Sequence, residues 1–190
     1  MARRRPSVEY VAKPAVMVVL IVAVLALDDV DTSVRALIVL GFGFSLVGDV
    51  VLMLPAGRFE AGLGAFLAAH CFTIAALFDA GLQAAWVAAG ALVVAVGAGG
   101  LAPPIVRGAA ARARPLAFAV GAYITVLGVM AVSAVGVGHW AAAAAGLLFL
   151  VSDALLGWGR FVGPTPGGRV GVHVTYHLAQ AGFATWLALG

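Results

Sequence analysis

Two aspartates, Asp49 and Asp153, stand well inside long apolar runs of the sequence. A charged group at bilayer depth costs several kcal/mol unless it is paired or hydrated, so each is a candidate for chemistry. Asp49 lies five residues before the expected end of the second apolar run, and Asp153 five before the end of the sixth. A rise of about 1.5 Å per residue then puts both roughly 7 to 9 Å inside the same membrane boundary. Two carboxylates in unequal surroundings can divide acid–base work. One, shielded from water, holds its proton and acts as a general acid, while a better solvated one stabilises a cation and takes a proton from water.

Other polar side chains fall in the same half of the membrane. Helix arithmetic places Tyr176 and His177 roughly 9 Å in, Tyr123 roughly 12 Å in and His70 near the midplane, with Lys13 at the rim. Ser45 is one turn from Asp49, Ser152 adjoins Asp153, and His173, His177 and Gln180 recur along one helical face. A polar cavity open to one leaflet would gather these groups. Asp49 and Asp153 are its expected catalytic residues, and Lys13, Ser45, His70, Tyr123, Ser152, Tyr176, His177 and Gln180 its expected substrate-binding residues.

Plainer roles compete with each assignment. A membrane aspartate can simply accept a hydrogen bond from Ser or Tyr across helices. His70, on a face with Gly62 and Phe66, suits a packing role as well as a site role. Tyr10, His139, Trp140, Trp158 and Trp186 are expected in the interfacial belt. His173 and His177 have the spacing of metal ligands but no obvious third partner, and Cys71 is the single cysteine, so neither a metal nor a cofactor is expected.

The elements that must position these residues are helices in lipid. The chain has 190 residues, 64% hydrophobic and 10% charged, with a mean hydropathy of +1.12, far more apolar than soluble domains. Its apolar runs are Tyr10 to Leu27, Val34 to Leu54, Phe59 to Phe78, Ala84 to Leu101, Pro115 to Val135, His139 to Trp158 and Val170 to Leu189. That pattern predicts an all-α, polytopic bundle of about seven transmembrane helices forming a single integral membrane domain. Breakers are expected at Asp28 to Asp31, Pro55 and Gly57, Asp79 to Gly81, Pro103 and Pro104, Gly136 to Gly138, and Gly163 to Gly168, and the Gly97 to Gly100 stretch is expected to fray or re-enter.

Charge sets the expected orientation. With the amino terminus cytoplasmic, that side receives Arg3, Arg4, Arg5, Lys13, Arg58, Arg107, Arg112, Arg114, Arg160 and Arg169, and the other only Arg35. The net charge of +3 is scattered between apolar segments rather than massed in a stripe, so no nucleic-acid partner is expected. No small-residue cleavage site follows Leu27, and the first run is expected to be a mature helix of an inner-membrane, multi-pass protein.

The runs GFGFSLVGDVVLMLP, FEAGLGAFLAAHCFTIAALF, GLLFLVSDALLGWGRF and TYHLAQAGFATWLAL, after an opening EYVAKP, resemble the YhhN family of membrane proteins, which includes the lysoplasmalogenases. The likeness runs in order over nearly the whole chain. It implies hydrolysis of the vinyl ether bond of a lysoplasmalogen to a fatty aldehyde and glycerophosphoethanolamine or glycerophosphocholine. By matched position, Asp49 and Asp153 are the family's two intramembrane aspartates, and Lys13, His70, Tyr176 and Gln180 match further polar positions. His177 departs from the family pattern, which more often has a second aromatic residue there.

Vinyl ether cleavage begins with protonation of the outer alkene carbon, and water then attacks the oxocarbenium ion. Paired carboxylates serve a similar cation in glycoside hydrolysis. The sequence leaves the division of labour open, leaning towards Asp153 as acid because its neighbours other than Ser152 are apolar. Lys13, Arg58 and Arg160 are placed to hold a lipid phosphate, although for Arg58 and Arg160 a purely topological role is the favoured reading. The expected partners are a lysophospholipid substrate and the bilayer, with no protein partner. A small proton-coupled transporter and a zinc-dependent seven-helix lipid hydrolase using Asp49, His173 and His177 are the competing readings.

Overall fold

Lipid offers a backbone no hydrogen-bonding partner, so each apolar run must satisfy its own N–H and C=O groups as a helix. The computed structural model of the chain describes residues 6–54, 58–165 and 167–190, with side chains from residue 13 onward. The Arg3 to Arg5 cluster, the side chain of Tyr10 and the breakers at Pro55 and Gly57 lie outside the described residues. Among the described residues seven helices follow one another: α1 (Pro6–Leu25), α2 (Thr32–Met53), α3 (Phe59–Asp79), α4 (Ala84–Ala110), α5 (Arg114–Gly136), α6 (Trp140–Phe161) and α7 (Gly168–Leu189). No strand occurs among the described residues. Helices α2 to α6 are each long and apolar enough to cross a membrane, and α1 carries a shorter apolar stretch, Lys13–Leu25. The protein is a helical membrane bundle.

Six helices close a ring in the order α1, α2, α3, α5, α6, α7, with α7 back against α1. Helix α4 stands outside it, packed only on α5 and α6. Most of α4 is therefore exposed, including Leu92, Val93 and Val96. The ring's interior is a continuous apolar core running from Met17 and Val24 through Ile38 and Phe42 to Phe149 and Phe183.

Helix α4 continues straight through the expected break at Pro103 and Pro104 and ends at Ala110. Each proline withdraws an N–H from the carbonyl four residues earlier, here Gly99 and Gly100. A glycine at those positions presents no Cβ to the proline ring, and packing against α5 and α6 holds the helix together beyond the pair. The Gly97 to Gly100 stretch is likewise helical, neither frayed nor re-entrant.

Close approach of α4 to α6 rests on Gly108. A Cβ built there would overlap the Phe161 carbonyl oxygen and lie 2.9 Å from its carbon.

At the end opposite the arginines, Asp31 caps α2. Its carboxylate accepts from the Ser33 and Val34 backbone N–H groups at 2.8 and 3.1 Å and from the Ser33 hydroxyl at 2.8 Å. The Ser33 hydroxyl also meets Asp79 at the end of α3. The Ser33 hydroxyl, followed by the two backbone donors, holds the Asp31 carboxyl below the ordinary carboxylate value. A group with a depressed value in the folded state stabilises fully above its unfolded value, and that contribution vanishes as pH falls through the depressed one. Thermal unfolding followed from about pH 6 to about pH 3 should therefore show the wild type losing more stability than Asp31→Ala. Parallel acid losses would exclude the cap as their source.

Candidate functional site

Asp153, on α6, is held by a tyrosine from the neighbouring helix. The Tyr123 hydroxyl on α5 donates to Asp153 Oδ2 at 2.5 Å. His70 Nε2 on α3 lies 2.9 Å from the same hydroxyl and 3.6 Å from Asp153 Oδ2. Because the phenol proton is directed at the carboxylate, the phenol oxygen accepts from His70 Nε2–H, which fixes the tautomer of the imidazole. A chain of polar groups thus runs His70, Tyr123, Asp153. His70 is 1% exposed and meets Phe149 edge-on at 4.7 Å between centroids.

Asp49, on α2, has its own phenol. Tyr176 on α7 donates to Asp49 Oδ2 at 2.8 Å, and Gln180 Nε2 donates to Ser45 Oγ at 2.9 Å. Ser45 and Asp49 are one turn apart on α2, as Tyr176 and Gln180 are on α7, so two i, i+4 pairs interlock across one helix interface. Lys13 and His177 lie within electrostatic reach of Asp49. Gly48 leaves room for the Phe66 ring, which a Cβ there would meet at 2.6 Å. His177 Nδ1 is 2.7 Å from the His173 carbonyl oxygen, an acceptor only, so Nδ1 carries the proton. That leaves His177 Nε2 buried without a hydrogen-bonding partner among the described residues.

The two clusters meet across aromatic rings. Tyr176 packs edge-on against Phe66 and Phe149, with centroids 5.8 and 5.5 Å away, and Phe149 in turn touches His70. On the far side of Tyr123 and Asp153 opens a cavity of about 270 Å³, walled mainly by α3, α4, α5 and α6 and apolar apart from Tyr123 and Asp153. Asp49 does not line it. The expected single polar cavity is thus replaced by two carboxylate–phenol pairs separated by aromatic rings, only one of which faces the open space.

Further differences from the sequence-based expectation follow from helix length and facing. Helix α6 runs on to Phe161, so Asp153 stands eight residues, or about 12 Å, from its end, whereas Asp49 stands four residues, or about 6 Å, from the end of α2. The expected equal spacing to the helix ends does not hold. Ser152 turns away from the cavity and donates to the Val172 carbonyl at 3.0 Å, tying α6 to α7. Trp186 is 5% exposed and belongs to the core rather than to a belt, while Trp140 at 68% stands outside. No three His, Cys, Asp or Glu side chains among the described residues converge as a metal-ligand set, and this includes Asp49, His173 and His177.

The sequence profile of the YhhN family matches residues 8–187. The chain belongs to the YhhN family. No curated protein and no solved structure matches it. In this YhhN protein, sequence reasoning missed the part played by Phe66 and Phe149, and it missed that α4 supplies a wall of the cavity through Gly97, Ala98 and Leu101. The small residues of α4 were the available signal, since they mark where another element or a ligand comes close.

Proposed function

We propose that this YhhN protein is a lysoplasmalogenase-like ether hydrolase of the inner membrane, with its amino terminus and arginine-rich end cytoplasmic. The observation that carries the reading is Asp153, a carboxyl group held by Tyr123 on the wall of an otherwise apolar cavity. A vinyl ether is apolar, and its cleavage needs one strong proton donor beside the double bond. The cavity side of Asp153 is where such a bond would lie.

Asp153 is the general acid in this reading. Its O–H bond breaks as a C–H bond forms at the outer alkene carbon, and a lone pair of the ether oxygen completes an oxocarbenium ion. Water adds to the carbon beside that oxygen. The Asp153 carboxylate left by the first step takes the water's proton, while Asp49, held by Tyr176 one ring behind the cavity, balances the cation with its negative charge. Asp153 then gives that proton to the glycerol oxygen as the hemiacetal's C–O bond to glycerol breaks, and takes up the hemiacetal's hydroxyl proton as the C=O bond of the fatty aldehyde forms. The Tyr123 hydroxyl, which accepts from His70, holds the Asp153 carboxyl in place through these exchanges.

Purified protein given a 1-alkenyl lysophospholipid should release aldehyde, and given the 1-acyl analogue should release no fatty acid. Aldehyde at the uncatalysed rate would overturn the reading. The same His70, Tyr123, Asp153 chain has the composition of a proton relay, so proton flux in proteoliposomes without hydrolysis would point to a transporter instead.

A further inference from the structure

The cavity is elongated, and its two ends differ. Along α6 its wall extends from Leu147 to Phe161, fourteen residues or about 21 Å. Asp153 divides that length, about 9 Å from Leu147 and about 12 Å from Phe161. At the Leu147 end the wall includes Val93 and Val151, which are 52% and 47% exposed on the lipid-facing surface. The space there is open sideways to the bilayer between α4 and α6.

At the other end the wall includes Phe59 and Phe161, and a guanidinium lies over each of these rings, beside the cavity rather than on its wall. Phe59 and Phe161 meet nearly perpendicularly, with centroids 5.8 Å apart. The Arg160 guanidinium sits 5.0 Å over the Phe59 ring and that of Arg112 5.2 Å over Phe161. Arg112 also donates to the Arg160 carbonyl at 2.5 Å, which brings both side chains to one spot. A guanidinium stacked on a ring keeps its in-plane N–H groups free for an anion, and the pair suits the oxygens of a phosphate.

We propose that this cavity binds one single-chain glycerophospholipid lengthwise, with its phosphate at Arg112 and Arg160, its glycerol between Phe161 and Asp153, and its hydrocarbon chain entering sideways between α4 and α6. The order of groups along the wall, cation, then carboxyl, then open apolar slot, is the order of phosphate, first glycerol linkage and chain in such a lipid. The two helical turns from Arg160 to Asp153, about 10 Å, match the reach of a glycerophosphate with an arginine extended over it. The assignment rests on the hydrolase reading for its choice of lipid but not for its test.

The test is equilibrium binding to the full-length protein in detergent. Its ligands are an alkyl-ether lysophospholipid, which has no vinyl bond to cleave, the phosphate-free alkylglycerol of equal chain length, and inorganic phosphate. Arg160→Gln and Arg112→Gln should each weaken the lysophospholipid about tenfold or more and leave the alkylglycerol unchanged. Because Arg112 also caps α6, Gly97→Phe provides an independent arm. A Cβ at Gly97 meets open space on the cavity wall, so the ring should exclude a long chain while a short-chain lysophospholipid keeps its affinity. Unchanged lysophospholipid binding in both arginine variants would overturn the phosphate end, and unchanged long-chain binding in Gly97→Phe the chain end. Competition by inorganic phosphate at the lipid's own concentration would reduce the arginines to a simple anion site and overturn the lengthwise pose. If the binding results hold but no aldehyde forms from an alkenyl lipid, the hydrolase reading fails and this one stands.

Discussion

Asp153→Asn is expected to lower aldehyde release about 10²–10⁴-fold, the usual contribution of a positioned general acid. The amide is nearly the same size, and its oxygen can still accept from Tyr123, whose hydroxyl bonds Asp153 Oδ2 in the wild type. The protein should therefore fold and bind lipid with little change. What is lost is a transferable proton beside the alkene. Turnover should fall with KM nearly unchanged, as for a group that acts only in the transition state. Tyr123→Phe should cost less, because it removes the hydrogen bond that positions the acid but not the acid itself. Asp49→Asn should also slow turnover, by a smaller factor, since Asp49 is separated from the cavity by an aromatic side chain. Full activity in both aspartate variants would exclude the carboxylate mechanism.

The largest expected loss of stability is at Gly108. Replacing an exposed helical glycine by alanine ordinarily stabilises by about 1 kcal/mol through backbone entropy. At Gly108 the added methyl group would overlap the backbone of Phe161, not a side chain able to swing away. The only relief is separation of α4 from α6, with a cost of about 1–3 kcal/mol or more for overpacking. Gly97→Ala is the matched control on the same helix, because its Cβ meets nothing within 4 Å. Thermal unfolding in detergent should move the two variants in opposite directions. A stabilised Gly108→Ala would mean that the two helices do not approach as closely as described.

Much of the architecture was legible because lipid imposes it locally. Seven apolar runs became the seven helices found among the described residues, since each had to satisfy its own backbone. The pairs Ser45 with Asp49 and Tyr176 with Gln180 were visible as i, i+4 spacings, but nothing local indicates that α2 and α7 face each other across more than a hundred residues. Pro103 and Pro104 misled for a physical reason: a proline pair reads as a stop where water can take the freed carbonyls, whereas here neighbouring helices hold α4 intact. The cavity was illegible because its walls come from separate helices, and because α4's exclusion from the ring is a packing outcome that hydropathy does not encode. Ser152 shows the same limit. Its position beside Asp153 in sequence sends it to the other side of α6, towards Val172.

The ring closes where α7 meets α1, and that closure has a consequence for biosynthesis. Asp49 and the phenol that satisfies it are 127 residues apart. At about 5–20 residues per second, roughly 6 to 25 s pass between their syntheses. Throughout that interval α2 carries, about one turn from its end, a carboxylate that lacks its phenol, at a cost below the roughly 2.5–3.5 kcal/mol of a charge at a helix centre. The last helix is thus the one that brings Asp49 its phenol. A nascent chain stopped before α7 would lack the phenol that donates to Asp49.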